Sequence, residues 1–182
     1  TGRLSMKSNN RTFFWVNIVL LMLFAASAKA VDNLNFHGTL VQVPCSVAPG
    51  SENITLDIGD VIDKYLYANT RTQSKPFTIR LENCDTALSN TVDVEFDGTE
   101  SLALAGLIAL EPGSGATGVA IGIESPEGVA LPLNTVKTFT LNNGSTDLVF
   151  YTYVQAEPQA ISSKNIGRGT FSSVANFTLA YP

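Results

Sequence analysis

The sequence predicts an all-β fold, a sandwich or barrel in one domain. Three observations carry this. Beyond residue 30, apolar residues recur at every second position, the alternating stretches are short and spaced roughly ten residues apart, and no run of helical periodicity separates them. An alternating strand buries one face and wets the other, so several of them must close around a shared core.

The first alternating stretch is Asn53-Ile54-Thr55-Leu56-Asp57-Ile58. Lys75 to Glu82 follows, then Thr91 to Asp97, which sets Asp93, Glu95 and Asp97 on one face. Further strands are predicted at Gly118 to Glu124, Val136 to Leu141, Asp147 to Gln155 and Gly169 to Tyr181. Asn142-Asn143-Gly144-Ser145 is a hairpin signal, because Asn-Gly accepts the positive φ angles of a tight primed turn. Only Ile62 to Tyr67 and Leu102 to Leu110 have room for short helices, and Gly106 weakens the second.

Charge divides the 182 residues into two parts. Residues 1–30 hold four basic residues and no acidic one; the remaining 152 hold seven basic and 16 acidic, a net charge of −9. Such a balance excludes nucleic acid as a partner, since phosphates would be repelled. With 45% hydrophobic residues the chain is not disordered. In the first part, Met6 reads as the initiator, with Thr1 to Ser5 upstream of it. Lys7 and Arg11 precede the apolar run Phe13 to Ala26, and Ala28-Lys29-Ala30 supplies small residues at −3 and −1. This pattern predicts a secretory signal cleaved after Ala30. The alternative, an uncleaved anchor, is disfavoured by a run shorter than a bilayer span and by the lack of a basic stop-transfer cluster.

Export sets the reading of Cys45 and Cys84, the only cysteines, as one disulfide. A metal site lacks ligands, because the chain has a single histidine, His37, and neither cysteine has another at metal-ligand spacing. Gly113-Ser114-Gly115-Ala116-Thr117-Gly118 matches a dinucleotide string, but Pro112 precedes it and a strand pattern follows where a helix is required. Asp93, Glu95, Asp97 and Gly98 imitate the start of a calcium loop, yet Leu104 stands where its glutamate belongs. No catalytic constellation emerges.

Both ends of the mature chain, which would ordinarily fray, are patterned as strands. At the front, Leu34, Phe36, Gly38 and Leu40 share one face; at the back, Ala175, Phe177, Leu179 and Tyr181 do. With the signal peptide, these features form a set: Phe36-x-Gly38 shortly before the first cysteine, the second in Phe77-Thr78-Ile79-Arg80-Leu81-Glu82-Asn83-Cys84, then Gly118 to Ile123, Phe150-Tyr151-Thr152-Tyr153, Gly169 fourteenth from the end, and a penultimate Tyr181. In order and spacing the chain resembles the pilin subunits of chaperone–usher fimbriae. Its front segment is similar to tip-fibrillum subunits of P pili, and the stretch around Cys84 to their adaptor subunits.

The resemblance implies an incomplete immunoglobulin-like β-sandwich over residues 42–182 that lacks its last strand. A donor strand would complete it, lent first by a periplasmic chaperone and then by the N-terminal extension of a neighbouring subunit. In this chain the extension is residues 31–41, with Leu34, Phe36, Gly38 and Leu40 inserted and Gly38 placed where a groove leaves no room for a Cβ. The implied groove and chaperone-binding strand carries Gly169, Phe171, Ala175, Phe177, Leu179 and Tyr181, and the carboxylate of Pro182 would be the chaperone's anchor. The implied protein is a non-enzymatic, cofactor-free minor, tip or adaptor pilin. It would pass the periplasm and the outer-membrane usher to the surface fimbrium of a Gram-negative bacterium and support adhesion. Gln42, which would follow Leu40 into an apolar groove, leaves open an assembly terminator or anchor subunit. A stand-alone carbohydrate-binding adhesin is the other alternative, although one domain has no room for a separate lectin domain.

Overall fold

A computed structural model describes residues 42–182. The predicted signal region and the extension carrying Leu34, Phe36, Gly38 and Leu40 lie outside the described residues. The elements run β1 (Ser46–Val47), α1 (Asp63–Asn69), β2 (Lys75–Cys84), β3 (Thr91–Gly98), β4 (Val119–Glu124), β5 (Val136–Thr140), β6 (Gly144–Ala156), α2 (Pro158–Ser162) and β7 (Ala175–Ala180). Strands with one apolar face must pair into layers that hide it. One sheet has the order β1-β2-β6-β4 and the other β5-β3-β7, with every pair antiparallel. The predicted all-β sandwich is therefore the observed architecture.

Between the layers, Ile79 and Leu81 of β2 and Leu148 and Phe150 of β6 join Val92, Val94 and Phe96 of β3 in one buried cluster. Phe150 lies at its centre. The rings of Phe77, Phe96 and Phe139 stand 5.4, 5.0 and 5.4 Å from it, centroid to centroid. Phe96 and Phe139 come from the second sheet, so this cluster joins the layers, each aromatic pair adding about 0.5–1.5 kcal/mol beyond area burial.

Every residue of β4 is buried, although it lies at the edge of its sheet. Its outer face is covered by a stack. The Tyr153 ring lies over Gly122, whose added Cβ would fall 2.2 Å from that ring, and the Arg71 guanidinium sits 3.8 Å above the Tyr153 centroid. Arg71 Nη2 also donates to Glu124 Oε1 at 2.9 Å, and Ser74 Oγ donates to the same oxygen. Gly122 thus owes its place to a cross-strand aromatic ring.

Four local expectations are corrected. Leu102 to Leu110 is not helical: Gly106 takes φ +82° against Pro132, and Ile108 instead bridges Glu100 and Ile121. The Asn142–Ser145 turn does not close a hairpin, because β5 and β6 belong to different sheets. Gly144 does take positive φ, while Thr146 Oγ1 receives the Asn142 N–H at 2.8 Å and steadies the crossing. Residues 53–58 form no strand, and the last strand begins at Ala175, not Gly169. The predicted helix at 62–67 is α1, with Leu66 its buried residue.

The disulfide joins Cys45, just ahead of β1, to Cys84 at the end of β2, 39 positions away. Closing a loop of that size stabilises by about 4 kcal/mol in the chain-entropy model. Replacing both cysteines by alanine is expected to lower unfolding stability by about that amount, read as a shift of the denaturant midpoint. A second expectation concerns Glu124, which is buried. The hydrogen bond from Arg71 holds its carboxyl below the usual range, against the opposing effect of burial, with Ser74 adding to the lowering. A lowered folded value means stability that is complete above the unfolded glutamate value of about 4.3 and is lost as pH falls through the folded one. Glu124→Gln should cost about 1–3 kcal/mol at neutral pH and flatten the acid limb of a stability-against-pH curve. An unchanged acid limb would exclude this pair as its source.

Candidate functional site

A groove of about 1380 Å³ runs between residues 52–61 and the chain leading into β7. Its floor is the core itself, lined by Phe77, Phe96, Ile108, Ile121 and Ile123. One wall is the alternating stretch read from sequence as a strand. Ile54, Ile58 and Val61 turn inward onto the core, yet among the described residues 52–61 make no backbone–backbone hydrogen bond. Side chains steady this wall: the Gly59 N–H donates to Asp57 Oδ1 at 2.8 Å, and Lys75 Nζ donates to the Asp57 carbonyl at 3.4 Å.

The other wall is Gly169 to Phe177. Phe171, Ala175, Phe177, Leu179 and Tyr181 all face the core, as the sequence alternation predicts, but each is only half-buried, whereas Val92 and Val94 of neighbouring β3 are fully buried. Among the described residues, β7 has a hydrogen-bonded strand on one side only, β3. An edge strand with unpaired N–H and C=O groups beside uncovered apolar side chains is a template for another strand. Chemically the groove offers two unpaired backbone edges and a floor for every second side chain of an extended segment, the requirements of β-strand addition.

The wall is anchored on either side. Past the groove lining, the Tyr181 hydroxyl donates to the Cys45 carbonyl at 3.4 Å, tying the C-terminal strand to the disulfide, and burial pushes the Tyr181 phenol pKa up. Pro182 is exposed beyond it. At the start of the wall, Gly169 passes so close to Gly115 that a Cβ would fall 2.6 Å from the Gly115 carbonyl carbon and 2.9 Å from the Ala116 nitrogen. Gly169 is thus explained by backbone contact, and it explains in turn why the G-x-G-x-x-G string is a loop packed on chain instead of on a nucleotide. Asp93, Glu95 and Asp97 lie on the outer face of the sheet; Thr138 donates to Asp93 and Asn176 Nδ2 to Asp97 Oδ2 at 3.1 Å. Sequence reasoning missed the wall at 52–61 and the floor. The signal for the wall was present, an alternating segment with no strand assigned as its neighbour.

The chain matches the family model described as "Fimbrial protein" over residues 34–182. It is 33% identical over 171 residues to the fimbria A protein of Serratia marcescens, covering 90% of this chain and 94% of that protein. It is 32% identical over 167 residues to the major MR/P fimbria protein of Proteus mirabilis, covering 88% and 92%. The fimbrial adapter PapK of Escherichia coli is 31% identical over 171 residues, covering 88% and 96%. Among solved structures, the P pilus rod subunit PapA superposes with a TM-score of 0.66 at 26% identity, covering 77% of this chain and 100% of that one. A chaperone–usher pilus structure gives 0.66 at 25%, covering 85% and 97%.

Gly169→Ala is expected to destabilise by about 1–3 kcal/mol, since the clash is with backbone that cannot turn aside and the φ of +156° is unfavourable for alanine. The change is read as a fall in thermal midpoint, and a midpoint equal to that of the parent would show that the two chain segments have room to part.

Proposed function

The chain belongs to the fimbrial protein family and is a structural subunit of a chaperone–usher fimbria, not an enzyme; on that premise we propose that it polymerises by donor-strand exchange as a minor, tip or adaptor pilin and supports adhesion. The observation that carries this is the groove, a core-floored slot between the free edge of β7 and residues 52–61, which have no backbone partner among the described residues. A seven-residue insert such as Leu34 to Leu40 extends roughly 23 Å at 3.3 Å per residue. Each large apolar side chain it buries contributes about 1.5–3 kcal/mol, and the β7 edge supplies the ladder of hydrogen bonds. Leu34, Phe36 and Leu40 are such side chains, and Gly38 suits a point where the slot admits no Cβ.

Before assembly the same groove would be filled by a strand from a periplasmic chaperone. Phe171, Ala175, Phe177, Leu179 and Tyr181 form the docking face, with Pro182 exposed beside it. The usher would then pair the subunit with its neighbours. Because the groove of one subunit takes the extension of the next, the contact is heterologous and does not close on itself, so it builds a fibre.

Deleting residues 31–41 is expected to yield a subunit that folds with its chaperone and accepts a strand, but donates none. Fibres from cells producing only this form should carry it at an end, as seen by immunogold labelling. Internal labelling, with a further subunit on each side of the truncated one, would refute the donor role.

A further inference from the structure

Asn142-Asn143-Gly144-Ser145 carries the chain from one sheet to the other, and its residues are held unequally. Gly144 takes φ +88°, a conformation that other residues adopt only under strain, so the backbone requires glycine there. Asn142 is fastened. Its N–H donates to Thr146 Oγ1 at 2.8 Å, and that hydroxyl donates to the Asn142 carbonyl at 3.3 Å, with Thr146 itself buried. Asn143, between the two, is exposed, lies outside any strand and is passed over by both bonds. Nothing stands within 4 Å of the point where a Cβ on Gly144 would sit.

A carboxamide carbon is an electrophile, and the backbone nitrogen of the following residue can reach it by closing a five-membered ring. A side chain on that following residue obstructs the closure, and a branched one obstructs it most. Every other asparagine among the described residues is followed by a residue with a Cβ, and the follower is β-branched after Asn53, Asn69, Asn90, Asn134 and Asn165. Asn143 alone combines a following glycine, solvent exposure and open space around that glycine.

We propose that Asn143 is a site of spontaneous covalent modification, at which the subunit loses a side-chain amide and gains a negative charge. Solvent base takes the proton of the Gly144 N–H, and the nitrogen attacks Asn143 Cγ. An N–Cγ bond forms, the Cγ–Nδ2 bond breaks, and Nδ2 leaves as ammonia with a proton from water. Water then opens the resulting succinimide. Attack at its side-chain carbonyl gives aspartate, and attack at its backbone carbonyl gives isoaspartate, whose main chain is one carbon longer. No atom is oxidised or reduced. Either product adds to the excess of acidic residues beyond residue 30. Isoaspartate also lengthens the link between the Asn142–Thr146 clamp and Gly144, which opens β6 opposite Cys84. In a fimbria, where a subunit is not resynthesised in place, the modified fraction grows with the age of the subunit and so records it.

The test uses fimbriae purified from cells producing the full chain and held at mildly alkaline pH, with peptide mapping by mass spectrometry and isoelectric focusing of the dissociated subunit. Asn143 should convert on the order of ten-fold faster than any other asparagine, because glycine alone leaves the path of the attacking nitrogen clear. Conversion should accelerate in proportion to hydroxide and move the subunit to a more acidic isoform. Asn143→Gln, whose longer side chain must close a six-membered ring, should lose that isoform, while Asn142→Gln should keep it. The denatured chain is the reference: conversion there but not in fimbriae would overturn the proposal, since the fold then shields the site. So would an acidic isoform that persists in Asn143→Gln, earlier conversion at another asparagine, or no conversion in either form.

Discussion

Two stretches of backbone, residues 52–61 and the free edge of β7, stand over one apolar floor without bonding to each other. Buried peptide groups must be hydrogen-bonded, so neither stretch can settle into the core to cover it. Phe77 on the floor and Phe171, Ala175 and Phe177 on the wall therefore stay half-buried, and Leu56 and Val174 on the walls are 41% and 58% exposed. The fold survives this because the most deeply buried part of the cluster, Phe150 with Ile79, Leu81 and Val92, lies away from the opening. Phe77 and Phe96 belong to both places, touching Phe150 on one side and flooring the groove on the other. Whatever fills the groove therefore also completes the packing of the core.

A groove that must wait for a partner loses affinity if it has to be reshaped on binding, since the entropy lost in ordering it offsets part of the binding energy. The C-terminal wall of this one is anchored by interactions between distant parts of the chain. Past β7 these are the disulfide and the Tyr181 hydrogen bond onto the Cys45 carbonyl; at Gly169 they are a close backbone pass and the nearby ties between α1 and the turn at 166–168. The stack of Arg71, Tyr153 and Gly122 seals the outer face of β4, the strand whose Ile121 and Ile123 line the groove.

The strands that the sequence reveals well are those whose alternation ends in complete burial. β2, β3 and β6 place Ile79, Leu81, Val92, Val94, Leu148 and Phe150 inward at every second position, and their inward faces were legible residue by residue. The misreadings have physical causes. Asn143-Gly144 encodes a reversal of backbone direction but not the strand to be paired afterwards, and here it leads from one sheet to the other. Leu102 to Leu110 has helical composition, but its carbonyls and amides are claimed by Thr99, Ser101 and Ile121. Asn53 to Ile58 has a true strand pattern and turns Ile54 and Ile58 inward, yet becomes no strand because a strand is defined by its neighbour. Half of the site was therefore visible, the stripe from Phe171 to Tyr181, and the opposing wall was not.

Local periodicity and cysteine count are properties of the chain alone, and from them the sequence determined the all-β class, the Cys45–Cys84 bond and the inward face of the C-terminal strand. Which edges stay unpaired, which segment faces β7 across the opening, and that Asp63 and Arg168 meet across 105 positions were decided only by the tertiary structure. Strand pairing and ion pairing between remote segments depend on where every other element has already packed, and no local pattern records that.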